Sequence, residues 1–384
     1  FMNDRLSKYI FLFFLINTVF FAIPVLSVFA DYIFLCIMIS LVIIIIFQPK
    51  LIKSILLHKK YSPFIYLNLI NFIYFVFFEI NNFDSFKYFS ARFLTFSLIS
   101  FAIEFNHEYL KLHFFKNLYY FLFSLGFLSF LLLPNFSNRF YGIFSNPNAL
   151  ASLMITCFSI KFILFNKNTI LDWIQLFLIL ALIIYSGSRM GIFAFVLAFC
   201  INYNFSFRSI FNFFLISVII YFGYDFLFYS YSDNAISRLI NTDLINNRIL
   251  NYLFAYETFK SKWLLGHGLS NYAFIDPNII SVEYSDLEIG AHNGYLAILV
   301  QYGSIFSLLF FSIFFKALIN IFKYVRFNWN EKEIKFYFFI IIYTLVNAFA
   351  ETMFTGINDF QTLLFWFVFA YLYTKSYKWS RDLK

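Results

Sequence analysis

Two arginines lie where long apolar runs of the sequence end, and either could bind an anion. Arg189 follows the small residues Ser186-Gly187-Ser188, which leave room for a ligand to approach. Arg248 lies near the start of an amphipathic segment, where a helix N-terminus would also favour an anion. A guanidinium presents a rigid fork of donors that suits a phosphate group. Each arginine could instead be a solvated or interfacial side chain, so both interpretations stay open.

A histidine and an asparagine precede a later apolar run, in the segment Ala291–Leu296. At such a boundary His292 can titrate near neutral pH and act as a general acid or base. Asn293 could orient a partner or cap the following helix. Together with Tyr295 it forms a polar edge that could contact a substrate. The structural alternative is a capped helix start with an interfacial histidine.

Glu351 and Arg139 complete the set of candidate residues. Glu351 falls inside an apolar run, near the outer end of a predicted span, where a carboxylate is either paired with an arginine or catalytic. Arg189 and Arg248 are its expected partners. Arg139 comes shortly before the polar residues 145–148 and could be a further anion contact.

The sequence carries no motif that indicates a nucleotide or metal site. It has no glycine loop of the nucleotide-binding type, no paired-histidine metal motif and no acidic cluster typical of nucleotide-sugar enzymes. The three cysteines, Cys36, Cys157 and Cys200, are well separated within apolar runs, which favours packing over ligation. We therefore expect no metal and no cofactor.

The elements that must position these residues are membrane helices. The chain has 384 residues, of which 62% are hydrophobic and only 12% charged. Soluble domains carry about 25% charged residues. A net charge of +8 could suggest nucleic acid, but the basic residues lie in short loops between apolar runs. We therefore expect membrane lipids around the chain and no nucleic-acid partner.

Apolar runs predict an all-α, polytopic membrane protein of about 12 transmembrane helices. They form a single transmembrane domain over residues 2–384. The predicted spans are 9–29, 32–47, 63–80, 88–106, 117–134, 148–166, 171–186, 190–204, 209–231, 291–315, 336–356 and 360–374.

The distribution of lysine and arginine predicts the orientation. Most of the 28 basic residues face the cytoplasm if the N-terminus is inside. Both termini are then cytoplasmic, and the candidate residues lie on the outer side.

One long polar loop, residues 232–290, is predicted on that outer side. Apolar residues from Ile249 to Phe259 recur at helical spacing after a predicted N-cap at Asn247, and Gly266 and Gly268 end the pattern. This pattern predicts a helix that lies on the membrane surface.

Three of these segments occur in an order that resembles the O-antigen polymerase and O-antigen ligase superfamily (Wzy and WaaL). They are Ser188-Arg189, then Arg248 followed by residues 266–268, and finally the segment Ala291–Leu296. Residues 146–148 before the sixth predicted span are also similar to that superfamily. The resemblance covers residues 135–315, and the His-Asn pair after a long outer loop is its most specific part.

This resemblance implies a C-type membrane glycosyltransferase (GT-C). Such an enzyme binds undecaprenyl diphosphate-linked oligosaccharides on the periplasmic side of the bacterial inner membrane. It inverts the anomeric carbon without a metal. The resemblance assigns Arg189 and Arg248 to the diphosphate and His292 to catalysis, and it allows for a chain-length regulator protein as a partner.

Three functions stay open from the sequence. A polymerase, the leading hypothesis, would move a growing glycan from one lipid diphosphate to the sugar of another lipid-linked repeat unit. A ligase would move it to lipid A-core. A flippase or other transporter would place its polar groups along a midplane cavity, whereas the candidates here gather at the outer edge. The two enzymatic hypotheses require that Arg189, Arg248 and His292 meet around one phosphate-sized space.

Overall fold

All regular secondary structure in the described part of the chain is helical. The computed structural model describes residues 4–47, 57–105, 109–132, 139–165, 169–203, 205–206, 209, 212, 243–280 and 290–382. Within these residues there are 12 α-helices and no strand. The helices are α1 (Asp4–Phe21), α2 (Ser27–Phe47), α3 (Ser62–Phe78), α4 (Phe83–Phe105), α5 (Phe115–Leu132), α6 (Pro147–Ser159), α7 (Ile170–Tyr185), α8 (Arg189–Asn202), α9 (Asp243–Ser261), α10 (Gly294–Phe327), α11 (Lys332–Asn347) and α12 (Phe360–Asp382).

Several helices have the length and composition of membrane spans. Among the described residues, six segments are long and apolar enough to cross a membrane, and three more are shorter and apolar. The protein is therefore a helical membrane protein. The six segments are Ser27–Phe47, Lys59–Phe78, Phe83–Phe105, Phe115–Leu132, Pro147–Leu164 and Gly294–Phe327.

Two predicted span boundaries are wrong. The predicted span 9–29 is interrupted, because α1 ends at Phe21 and α2 begins at Ser27, with Pro24 in the turn between them. Proline removes a backbone donor and breaks a helix. The predicted span 336–356 is helical only as far as Asn347. Most of the predicted span 209–231 lies outside the described residues.

The described helices pack into two compact units. The first unit takes its residues from 1–34, 106–245 and 325–346, and the second from 35–105, 246–324 and 347–384. In the first unit α6 packs against α5, α7 and α8. Gly126 of α5 permits the close approach to α6, because a Cβ there would lie 2.6 Å from the Met154 sulfur.

The second unit is built around Trp366 of α12, which is fully buried. Its indole contacts the rings of Phe64, Phe96 and Phe314, with centroids 5.3–6.0 Å apart. These rings come from α3, α4 and α10, so one aromatic cluster joins four helices. Helix α10 thereby acquires a fixed place in the unit.

The helix in the predicted outer loop begins earlier than its sequence pattern predicts. Helix α9 begins at Asp243, so Asn247 lies inside the helix and is not its N-cap. The apolar side chains of Leu253 and Tyr256 are exposed, whereas Ala255 and Thr258 are fully buried. The exposed apolar side chains leave α9 free to make the predicted contact with the membrane surface.

Helix α10 is broken at Gly303, and the turn after α9 docks at that break. Gly303 has φ +65°, which releases the carbonyl groups of the preceding residues. The backbone N–H of His267 donates to Val300 O at 2.8 Å, and that of Gly268 donates to Gln301 O at 3.1 Å. His267 therefore lies in the turn that follows α9, where Gly266 and Gly268 were predicted to end the helical pattern.

Glu79 holds the same turn from α3. Its Oε2 accepts a hydrogen bond from the backbone N–H of Leu269 at 2.7 Å. Gly268 has φ +114°, and a Cβ there would lie 1.9 Å from Glu79 Oε1. Side chains rarely adopt such a φ, so the turn favours glycine at this position.

Replacing Gly268 with alanine is expected to destabilise the protein. The strained φ and the clash with Glu79 together should cost about 1–3 kcal/mol. Thermal unfolding of purified protein in detergent measures this loss. Gly290→Ala is the matched control, since its Cβ would meet His292 Nε2 at an ordinary 3.6 Å. Equal melting temperatures for the two variants would contradict the described docking of the turn.

Candidate functional site

His292 is presented immediately before the first turn of α10. Its φ is +36°, a left-handed value that is rare for residues other than glycine. Its Nδ1 lies 3.4 Å from Glu351 Oε2, a long hydrogen-bond distance. The His292 side chain is 44% exposed and that of Glu351 25% exposed. The imidazole is thus oriented by a carboxylate on one edge and open to solvent.

Asn293 fixes this position by capping α10, as expected from the sequence. Its Oδ1 accepts from the backbone N–H groups of Tyr295 at 2.9 Å and Leu296 at 3.0 Å. These donors would otherwise be unsatisfied at the helix start. The Asn293 side-chain amide also donates to Phe349 O at 3.4 Å. One asparagine therefore joins the helix start to the segment that carries Glu351.

Gly294 and Tyr295 bring that segment close. The Gly294 N–H donates to Ala348 O at 2.7 Å, and a Cβ at Gly294 would lie 3.1 Å from Met353 N. The Tyr295 ring packs on Phe349, with centroids 4.7 Å apart. Residues 292–295 thus all contact one non-helical segment, residues 348–359, which we call the Glu351 segment.

Glu351 does not lie in a helix, which corrects the sequence prediction. It follows the end of α11 by four residues, in the Glu351 segment. The segment stays irregular because its backbone groups find partners outside a helix, and a buried backbone need only be satisfied. The contact identified here for Glu351 is His292. Pairing of Glu351 with Arg189 or Arg248 stays a prediction.

Arg248 belongs to a helix that is tied to the same segment. It lies within α9, one helical turn before Tyr252. The Tyr252 hydroxyl donates to Phe349 O, two residues before Glu351 in the chain. The backbone of α9 is therefore anchored to the Glu351 segment within one turn of Arg248.

Arg139 and Arg189 lie in the first unit, around the starts of two helices. Arg139 Nε donates to Ser186 O at 2.9 Å, and its Nη2 donates to Asn148 Oδ1 at 2.8 Å. Arg189 is the first residue of α8, whose N-cap Ser188 accepts from Gly191 N at 3.3 Å. Arg139 thus joins the two polar segments that the sequence singled out separately.

The region around Arg139, Arg189 and the starts of α6 and α8 has a positive electrostatic potential, which favours an anion. Helices α6 and α8 begin here, with Asn146 and Ser188 as their N-caps. Each helix start carries a partial positive charge, which adds to the guanidinium groups of Arg139 and Arg189. Arg189 is partly exposed as a residue, although one terminal nitrogen of its guanidinium is buried.

Sequence reasoning missed two residues of the second unit. Arg92 is buried in α4 and donates to carbonyl groups of the Glu351 segment. Its charge within an apolar run was the signal that could have identified it.

The second missed residue is Asp359, which caps α12, because its Oδ2 accepts from Thr362 N at 2.6 Å. The surrounding protein raises the pKa of the Asp359 carboxyl, and the Glu351 carboxylate raises it further. The two carboxylates therefore share one electronegative segment.

No residues within the described ranges form a group of three or more His, Cys, Asp or Glu side chains that could hold a metal ion.

Comparison with known proteins finds one similarity, in the central part of the chain. Residues 174–312 match the family described as O-Antigen ligase (Wzy_C). The matched range contains Arg189, Arg248 and His292, whereas Arg139 and Glu351 lie outside it. No curated protein matches the chain significantly. Residues 174–312 are therefore similar to the O-antigen ligase family, which supports the resemblance to the O-antigen polymerase and ligase superfamily that the order of the motifs predicted.

Proposed function

We propose that the protein is an O-antigen polymerase. It transfers a glycan from an undecaprenyl diphosphate-linked donor to a sugar hydroxyl of an undecaprenyl diphosphate-linked repeat unit. The observation that carries this proposal is the pairing of His292 with Glu351 at the start of α10. His292 lies within the segment that matches the O-antigen ligase family.

The pairing supports a general-base role for His292. In the reaction the acceptor hydroxyl oxygen attacks the anomeric carbon while the bond from that carbon to the diphosphate oxygen breaks. His292 accepts the hydroxyl proton as the new glycosidic bond forms. Glu351 holds the imidazole by its Nδ1 edge and stabilises the imidazolium that results, as a carboxylate does in a hydrolase triad. A single displacement of this kind inverts the anomeric carbon.

The leaving diphosphate needs positive charge, which we assign to Arg189 and Arg248. Fixed donors aimed at charge that develops in the transition state lower the barrier, especially away from bulk water. The two guanidinium groups take the role that a divalent ion has in other glycosyltransferases, so the proposed reaction is metal-independent. Arg139 stabilises the segment before Arg189 through its hydrogen bond to Ser186 O. Asn293 and Tyr295 border the acceptor.

The proposed setting is the bacterial inner membrane. In this proposal the chain has about 12 spans, with both termini in the cytoplasm and the active site in the periplasm, under the long loop. A chain-length regulator protein is a proposed partner, since a polymerase needs a means of termination.

Incubation of purified protein with lipid-linked repeat units tests the proposal. We expect a ladder of products on a gel, because each product is again an acceptor or donor for the next transfer. The ladder should persist in the presence of a metal chelator. Wild-type protein that gives no ladder would overturn the polymerase proposal.

Ligase activity is the second candidate, because the matching family is described as O-Antigen ligase. Adding lipid A-core to the same reaction separates the two. A ligase gives one capped product per donor, whereas a polymerase gives the ladder with or without lipid A-core. A flippase would move the lipid-linked sugar across reconstituted vesicles without forming any bond.

A further inference from the structure

Arg92 is a buried cation inside a membrane-spanning helix. It lies in α4, which is apolar and long enough to cross a membrane, and it is only 3% exposed. Its guanidinium carbon lies near the rings of Phe96 and Trp366, 5.1 and 5.5 Å from their centroids. A charge placed at such depth is costly and therefore demands a specific set of partners.

The partners of Arg92 are backbone carbonyl groups of the Glu351 segment. One terminal nitrogen donates to Gly356 O at 3.2 Å, and the other donates to Phe354 O. The planar fork of an arginine can reach two carbonyl groups at once while its face stacks on aromatic rings. Arg92 therefore fixes the segment at two points.

Other side chains hold the carbonyl groups next to these. Tyr88 Oη donates to Thr355 O at 3.0 Å, and Thr362 Oγ1 donates to Met353 O at 2.7 Å. Four consecutive carbonyl groups, from Met353 to Gly356, thus accept from side chains and not from a helix. The segment keeps its irregular path because these donors replace helical hydrogen bonds.

Glu351 lies two residues before the first of these held carbonyl groups. Gly294 presses on the same stretch, since a Cβ there would lie 3.1 Å from Met353 N and 3.3 Å from Glu351 O. The segment is thus fixed by Arg92 on one side and by the start of α10 on the other. Glu351 lies between these two fixed points, and its carboxylate contacts His292.

We propose that Arg92 is a positioning residue, which holds the Glu351 carboxylate against His292 by fixing the carbonyl groups of Phe354 and Gly356. The inference rests on the proposed function, in which His292 takes the acceptor proton. Arg92 itself touches neither substrate nor His292.

A double-mutant cycle on the full chain tests this role. Arg92→Lys keeps the charge but loses the two-point fork, and Glu351→Gln removes the carboxylate. Each single variant is expected to lower kcat for chain extension by about 10- to 100-fold, as small displacements of catalytic groups do. The donor KM should stay at the wild-type value. The double variant should be no slower than Glu351→Gln alone, because both substitutions remove the same interaction, the contact of the Glu351 carboxylate with His292.

Two further variants make the cycle specific. Tyr88→Phe removes the hydrogen bond to the Thr355 carbonyl, and we expect a smaller loss of kcat that is again absent in the Glu351→Gln background. Lys161→Arg changes another buried cation, which pairs with Asp172 in the first unit, and should keep the wild-type kcat. If the fold-loss of kcat in either double variant equalled the product of the losses in its two single variants, the proposal would be overturned. A wild-type kcat in Arg92→Lys would also overturn it.

A second readout does not depend on polymerisation. Diethyl pyrocarbonate modifies His292, and mass spectrometry gives the rate. We expect Arg92→Lys to change this rate as Glu351→Gln does, whereas Lys161→Arg leaves it unchanged. A wild-type rate in Arg92→Lys would refute the positioning role even in a protein without polymerase activity. A missing ladder in the wild type would refute the proposed function alone.

Discussion

Replacing His292 with alanine is expected to lower kcat for chain extension by about 10²–10⁴-fold, the usual contribution of a general base. The acceptor hydroxyl must lose its proton as it attacks, and His292 is the titratable group that Glu351 orients. Binding of the lipid-linked donor should persist, because the diphosphate contacts are assigned to arginines. The initial rate of ladder formation with a labelled repeat unit measures the effect.

His113→Ala is the matched control for this experiment. His113 is exposed and lies in the first unit, next to Tyr109. We expect this variant to extend glycans at the wild-type rate. If His292→Ala retained more than one tenth of the wild-type kcat, His292 would not be the general base, and the pairing with Glu351 would be structural.

Replacing Arg189 with alanine is expected to lower kcat by about 10²–10³-fold, since it removes a donor aimed at developing charge. Arg189 begins α8, where the helix start adds to its positive potential. Arg189→Lys should recover only part of the rate, because an ammonium lacks the planar fork that binds two phosphate oxygens. Single-turnover rates with a saturating donor separate this loss from weaker binding.

Arg326→Ala is the control for Arg189, because Arg326 is an exposed arginine in the last turn of α10. It should leave the rate unchanged. Equal rates for the two alanine variants would show that Arg189 does not stabilise the leaving diphosphate. Circular dichroism of both variants checks that the overall helical content is unchanged.

Local signals predicted part of the structure well. Asn293 before an apolar run predicted a helix cap, and its Oδ1 indeed accepts from two backbone N–H groups at the start of α10. Gly266 and Gly268 predicted the end of the helical pattern, and α9 indeed ends before them, at Ser261. These predictions succeeded because the partners lie within a few residues in the sequence.

Long-range contacts explain the predictions that failed. Residues 348–356 are largely apolar, so hydropathy extends the preceding span through Glu351. The structure ends α11 at Asn347 because Arg92 and Tyr88, more than 260 residues away, satisfy the carbonyl groups of the segment. Periodicity likewise misplaced the start of α9, since Asn247 resembles a cap but lies within the helix.

The left-handed backbone of His292 lowers the stability of the folded protein. A left-handed φ costs a residue with a Cβ about 1–2 kcal/mol relative to the right-handed region. Selection for thermal robustness alone would favour glycine or asparagine here, since both tolerate φ +36° more easily. Persistence of histidine in a lineage would thus record selection for turnover, and drift to glycine would mark a relative that has kept the scaffold and lost the reaction.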